Sequence, residues 1–177
     1  MKRIFIGMIV VFIDFNLNFE NNTIGLIPDF IGYFMMIEGL KEITNYSNNF
    51  TKVLPYVKSM AIATALTYLM DFFGIRIYLL VSLLLGLVLM AVCMYISYTI
   101  IMGIKDVETE FQQNLNTESL YSAWKISMIL SFVTYVLIIV PGLMILCSLA
   151  TLVAYVYYLV QFNKTQKLFY EHTQKVI

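Results

Sequence analysis

Apolar residues gather into five runs, separated by short polar stretches. The first, Ile4 to Phe15, carries one acid, Asp14. Twelve residues of helix reach only ~18 Å, less than the ~30 Å hydrocarbon core of a bilayer. Phe15-Asn16-Leu17-Asn18-Phe19-Glu20 then alternates apolar and polar, which is strand periodicity. Asn21-Asn22 fits a turn, and Thr23 to Ile27 a return arm. The pattern predicts a small hairpin or an extended re-entrant loop. At membrane depth such backbone is tolerated only where protein or water covers it. Pro28-Asp29 reads as a helix start, with proline in the first turn and a carboxylate at the positive end of the helix dipole. That helix, Pro28 to about Ile43, is again short for a span.

The later runs are longer. Pro55 to Phe73 predicts a third span, a tight turn follows at Asp71–Arg76, and Ile77 to about Ile104 predicts a fourth. Lys105 to Glu118 is polar and acidic, and Thr117 is placed to cap the next helix. Tyr121 and Trp124 stand where interface anchors are expected. From Ile126 to Phe162 the chain is almost continuously apolar. As one helix this run would be about 55 Å long, too long for a bilayer, so Pro141-Gly142 marks a break. The expected fold is an all-α membrane protein, a single integral domain over residues 1–177. Six transmembrane helices form three hairpins, with a short extended or β-hairpin-like external loop between the first two. The spans are approximately 4–16, 28–44, 55–73, 77–104, 120–140 and 143–162, followed by a cytoplasmic tail, 163–177.

Charge orients this arrangement. With the N-terminus inside, Lys2, Arg3, Lys41, Lys52, Lys58, Lys105, Lys125, Lys164, Lys167 and Lys175 all fall on the cytoplasmic side, and Arg76 alone falls outside. The positive-inside rule is then met by all but one of 11 basic residues. Dropping one span would scatter them to both sides. Both termini are therefore expected in the cytoplasm. Lys2 and Arg3 before an apolar run resemble the start of a signal peptide, but no small-residue cleavage motif follows. The first helix is expected to be retained.

Composition agrees. Hydrophobic residues make up 60% of the chain and charged residues 12%, where a soluble domain carries about a quarter charged. The expected surroundings are a lipid bilayer, in the cytoplasmic membrane. Net charge is zero, which argues against a nucleic-acid partner, since that would need an excess of basic residues. Cys93 and Cys147 each sit inside an apolar run and His172 is in the tail. No metal site, cofactor or catalytic nucleophile is expected from them. P-loop, GxGxxG, HExxH, CxxC and GxSxG patterns are absent.

Ionisable residues within spans are costly, which makes Asp14, Asp29, Glu38, Asp71 and Arg76 the candidates for function. Each also has a structural reading. Glu38 has Lys41 at i+3, Asp29 sits in a first helical turn, and Asp71 can pair with Arg76 across the outer turn. Asp14 has no local partner. It would hydrogen-bond orphan backbone donors, or bind a cation or proton. Three polar stripes have helical spacing: Thr64, Thr67, Tyr68, Asp71; Ser127, Ser131, Thr134; and Ser148, Thr151, Tyr155, Tyr158. They read as packing faces or as the lining of a polar path. Gly32 and Gly39 share a face, and Ser82 with Gly86 forms a small-residue pair, so helices could approach closely there. Gly39-Leu40-Lys41-Glu42-Ile43 echoes Gly103-Ile104-Lys105-Asp106-Val107, each expected to close a hairpin on the inner side.

Asp14-Phe15-Asn16-Leu17-Asn18, the Asn-rich loop, Leu26-Ile27-Pro28-Asp29-Phe30-Ile31-Gly32-Tyr33 and Glu38-Gly39-Leu40 resemble a group of small, uncharacterised multi-pass membrane proteins of low-GC Gram-positive bacteria. The resemblance covers roughly the first 45 residues and implies no activity. Small size, short loops and the lack of a chemical motif favour a non-enzymatic accessory, structural or regulatory subunit, partnered by another membrane protein or by further copies of itself. The alternative is a small transporter or channel that uses the intramembrane acids.

Overall fold

The computed structural model describes residues 1–12, 16–19, 22–25, 28–75, 78–137 and 140–173, with backbone alone at 16–19, 22–25, 141, 172 and 173. Asp14, Arg76 and the last four residues of the tail lie outside it, as does the side chain of His172. Among the described residues the elements run α1 (Lys2–Phe12), β1 (Asn16–Phe19), β2 (Asn22–Gly25), α2 (Asp29–Lys41), a 3₁₀ turn (Thr44–Tyr46), α3 (Asn48–Phe72), α4 (Leu79–Phe111), α5 (Thr117–Val136) and α6 (Pro141–Thr173). The chain is dominantly helical. Among the described residues three helices are long and apolar enough to cross a membrane: α3, α4 and the Gly142–Glu171 stretch of α6. Two compact units divide it, Met1–Ile100 and Ile101–Ile177, with the boundary inside α4.

In the first unit α1 and α2 are an antiparallel pair. Gly7 of α1 lies against Gly32 of α2, and Ile4 against Gly39. The approach leaves no room for side chains: a Cβ on Gly7 would stand 2.4 Å from the Gly32 carbonyl oxygen, and one on Gly32 2.7 Å from that of Gly7. Small residues allow this closeness, and dispersion between the two backbones replaces the side-chain contacts given up. β1 and β2 pair antiparallel in the register Asn16↔Gly25, Leu17↔Ile24, Asn18↔Thr23, Phe19↔Asn22. Asn22 is thus a strand residue rather than part of the expected Asn21-Asn22 turn. Both α2 and β2 lie against α3. The 13 residues of α2 rise ~20 Å and a four-residue strand adds about 13 Å. Together they match most of the ~37 Å of α3, whose 25 residues form one uninterrupted helix.

Several boundaries differ from the sequence pattern, each for a local reason. α2 begins at Asp29, with Pro28 as its extended N-cap. α3 begins at Asn48, well before Pro55, because the Ser47 hydroxyl accepts from Asn49 N (3.1 Å) and starts the helix early. Pro55 then lies inside the helix, at the cost of one backbone hydrogen bond. α4 does not stop at Ile104. Ile101, Ile104 and Val107 are all buried, so the apolar i, i+3 stripe carries the helix through the first charged residues. Gly103 and Lys105 therefore lie within α4, and the segment that echoes Gly39–Ile43 closes no hairpin. α6 likewise continues past Phe162, its stripe extended by buried Thr165, Gln166 and Phe169.

In the second unit α5 and α6 pack along their length. Thr117 is the first residue of α5 rather than its cap; the N-cap is Asn116, in the left-handed region at φ 66°. The capping carboxylate comes from α4. Glu108 Oε2 accepts from Leu115 N and Thr117 N (3.2 Å each) and from the Thr117 hydroxyl. One side chain thus satisfies orphan donors at the start of α5 and meets its dipole.

Burial is uneven along every long helix. The halves of α3 and α4 that flank the turn at Phe73-Gly74 contain no buried residue, over 62–72 and 79–95. The same holds for 132–136 of α5 and 142–150 of α6, which flank the break near Pro141. The far halves carry the core: Phe50, Val53 and Val57; Ile96, Ile100 and Ile104; Leu120 and Ala123; Tyr158, Phe162 and Phe169.

Candidate functional site

The first-unit site grows from the start of α2. Asp29 stands about 18 Å along the helix axis from Lys41, some 12 Å less than the hydrocarbon thickness. One turn on, Tyr33 is buried. Tyr33 and Ser97 are the polar side chains nearest in effect to the Cys93 thiol of α4, and Asp29 contributes to its electrostatic surroundings. The Ser97 hydroxyl also donates to the Cys93 carbonyl at 2.9 Å. Phe30 packs edge-on against Tyr68 of α3, ring centroids 5.8 Å apart. A phenol, a thiol and a hydroxyl thus share one neighbourhood between apolar helices, one turn on from the Asp29 carboxylate at the start of a short helix. Gly7, Gly32 and Gly39 together let α1 lie close on α2 beside it.

At the opposite end of α2 an ion cluster ties it to α1. Arg3 Nη1 is 3.1 Å from Glu38 Oε2 and 3.1 Å from Glu42 Oε1. Glu38 was expected to pair with Lys41; the antiparallel crossing brings Arg3 to it instead, and Lys41 points to solvent. All three ionic side chains are exposed, so each pair contributes no more than about 1 kcal/mol. Burial pushes the Met1 amino group below its ordinary range; Glu42 opposes that shift and Arg3 adds to it.

The second unit holds a ladder of hydroxyls between α5 and α6. Ser127 Oγ donates to the Ala154 carbonyl of α6 or to the Ala123 carbonyl of its own helix, both at 2.9 Å. Ser131 Oγ lies 2.7 Å from Tyr155 Oη, and Thr134 Oγ1 2.9 Å from Thr151 Oγ1. Two of the stripes read from the sequence thus meet each other. The third closes on itself: Thr64 Oγ1 donates to the Met60 carbonyl (2.8 Å) and Thr67 Oγ1 to that of Thr64 (3.0 Å), bonds that satisfy a hydroxyl without binding a neighbour. Ser148 does the same with Ile145.

Of the remaining candidates, Asp71 is exposed at the end of α3, Ser82 is exposed and Gly86 half-buried. Asp14 and Arg76 are outside the described residues, so the expected Asp71–Arg76 pair has no geometry here. Sequence reasoning passed over Gly7, Arg3, Tyr33 with Cys93, and Glu108. Gly7 had a signal, as the one small residue within a short apolar run. Glu108 had none, since its role depends on a turn that brings α5 back to α4. Among the described residues no group of three or more His, Cys, Asp or Glu side chains could hold a metal ion. Comparison with family models, with curated proteins and with solved structures gave no match.

Proposed function

We propose that this chain is a six-span protein of the cytoplasmic membrane, with both termini in the cytoplasm, acting as a non-catalytic accessory, structural or regulatory subunit of a membrane assembly. The observation that carries this reading is the uncovered apolar half of each long helix. Leu79, Leu80, Val81, Leu84 and Val88 of α4 are all at least half exposed, as are Ile145, Leu146 and Val153 of α6. In water such surface would be an aggregation site; in a bilayer it faces acyl chains or the helices of a partner or a second copy. α1 with β1, and α2 with β2, would serve as composite spans in this topology. The ribbon would lie toward the external leaflet, where water covers its edges.

Two experiments test it. Cysteines introduced singly at Asn21 and Asn114, in a background lacking Cys93 and Cys147, should label from outside and only after permeabilisation, respectively. Purification in mild detergent should recover a stable partner or a homo-oligomer; repeated recovery of a lone monomer would overturn the accessory role. A second reading, a small transporter or channel, draws on Asp29 at the start of α2, one turn from buried Tyr33. It requires that Asp29→Asn abolish an ion or proton flux in proteoliposomes while leaving the fold intact.

A further inference from the structure

We propose that the Lys41, Lys52 and Lys58 end of the first unit is a binding surface for anionic lipid headgroups. The proposal rests on the membrane reading above and names the ligand that reading leaves open. The antiparallel run of α1, α2 and α3 collects every described basic residue of this unit at one end: Lys2 and Arg3 start α1, Lys41 closes α2, and Lys52 and Lys58 lie in the first half of α3. The carboxylates at this end are Glu38 and Glu42, and Arg3 takes both of them. Asp29 and Asp71 are the unit's other described acids, placed at the far end of α2 and of α3. Lys41, Lys52 and Lys58 are exposed, and none has an ion pair among the described residues.

Their depth suits headgroups. α3 is ~7 Å longer than the hydrocarbon core is thick, which leaves its first turns at headgroup level. Lys52 stands in those turns. Lys58 is about 9 Å further along the axis, within reach of the interface when its stem extends along the helix. The Tyr56–Tyr95 ring pair, centroids 4.8 Å apart, sits beside them and marks the boundary depth that tyrosine favours. The surface is a set of separate point charges with no buried polar pocket. It therefore suits a field of phosphates in a leaflet better than one enclosed free phosphate.

The test uses the full chain in nanodiscs of phosphatidylcholine with a minor fraction of phosphatidylglycerol. Native mass spectrometry reads the ratio of the two lipids retained. Each lysine is expected to raise the preference for the anionic lipid about 5-fold, so Lys41→Gln, Lys52→Gln and Lys58→Gln together should lower it by on the order of 100-fold. The three Lys→Arg replacements should keep it, and high salt should weaken it. If the triple Gln variant fails to fold, Lys41→Gln alone still predicts the single-residue loss. A ratio unchanged by the Gln variants overturns the proposal. So does displacement of the retained lipid by millimolar inorganic phosphate, which would make free phosphate the ligand. Incorporation of the protein into the discs is scored first, and failure at that step sinks the membrane reading instead.

Discussion

The two halves of each long helix differ in composition and in use: apart from Asp71 the open halves carry no charged residue, and the packed halves hold the lysines and acids of these helices. Residues 96–107 of α4 include Ile96, Ile100, Ile101 and Ile104, all at 1% exposure or less. Residues 79–95 are more apolar still and contain no buried position. Hydrophobicity alone therefore does not build the core here. What separates the halves is polar and small-residue detail near the packed one: Glu108 capping α5, Ser127 reaching across to α6, and the glycine contact that brings α1 onto α2. In a lipid solvent apolar surface gains nothing from leaving its surroundings, so shape and hydrogen bonds decide where helices meet. The open halves make few such contacts, Thr134 with Thr151 and Tyr68 with Phe30 among them, and leave most of their apolar surface uncovered.

Substitutions can break this comparison, beginning with the packed halves. Phe162→Ala, at a fully buried position, should cost about 3–5 kcal/mol, and Leu84→Ala in the open half of α4 no more than about 0.5. Denaturation midpoints in one detergent measure both, and equal losses would erase the distinction. Gly7→Ala comes next. The added methyl meets the Gly32 carbonyl oxygen, backbone that cannot rotate away, for an expected ~1–3 kcal/mol. Gly142→Ala, with open space around it, should lose nothing measurable by the same assay. Glu108→Ala should cost about 1–2 kcal/mol by stripping the start of α5 of its acceptor. Hydrogen exchange at Leu115 and Thr117 should rise in that variant and not elsewhere in α5.

Smaller effects sharpen the account. A double-mutant cycle of Ser131→Ala with Tyr155→Phe should give a coupling of about 0.6 kcal/mol, typical for hydroxyls between membrane helices. Zero coupling would reduce the ladder to a line of self-satisfied side chains. Thr165 is fully buried and its hydroxyl has no hydrogen-bond partner among the described residues. Thr165→Val should therefore be neutral or stabilising by up to ~1 kcal/mol; a clear loss would show that the hydroxyl is satisfied after all.

Much of the helical order was legible in the sequence, because runs of apolar residues and their Pro-Gly breaks are local features. The spacing of Ser127, Ser131 and Thr134 and of Thr151 and Tyr155 was legible too; that the two sets bond to each other was not, since it depends on how the α5–α6 turn closes. Helix ends were read too short wherever an amphipathic stripe outlasted the charged residues, as at Val107 and Phe169. Charge partners were read too locally: Lys41 is near Glu38 in sequence, but Arg3 is nearer in space. Tyr33 and Cys93 lie 60 residues apart, and nothing in the sequence pattern links them.

The central claim is that the packed and open halves face different surroundings within a bilayer. Spin labels placed singly at Leu84 and at Ile100, with the protein in liposomes, test it most directly. Leu84 should be highly accessible to oxygen and shielded from a water-soluble nickel reagent, and Ile100 should be inaccessible to both. Equal oxygen accessibility at the two positions would contradict the division between halves, and nickel access at Leu84 would contradict the bilayer.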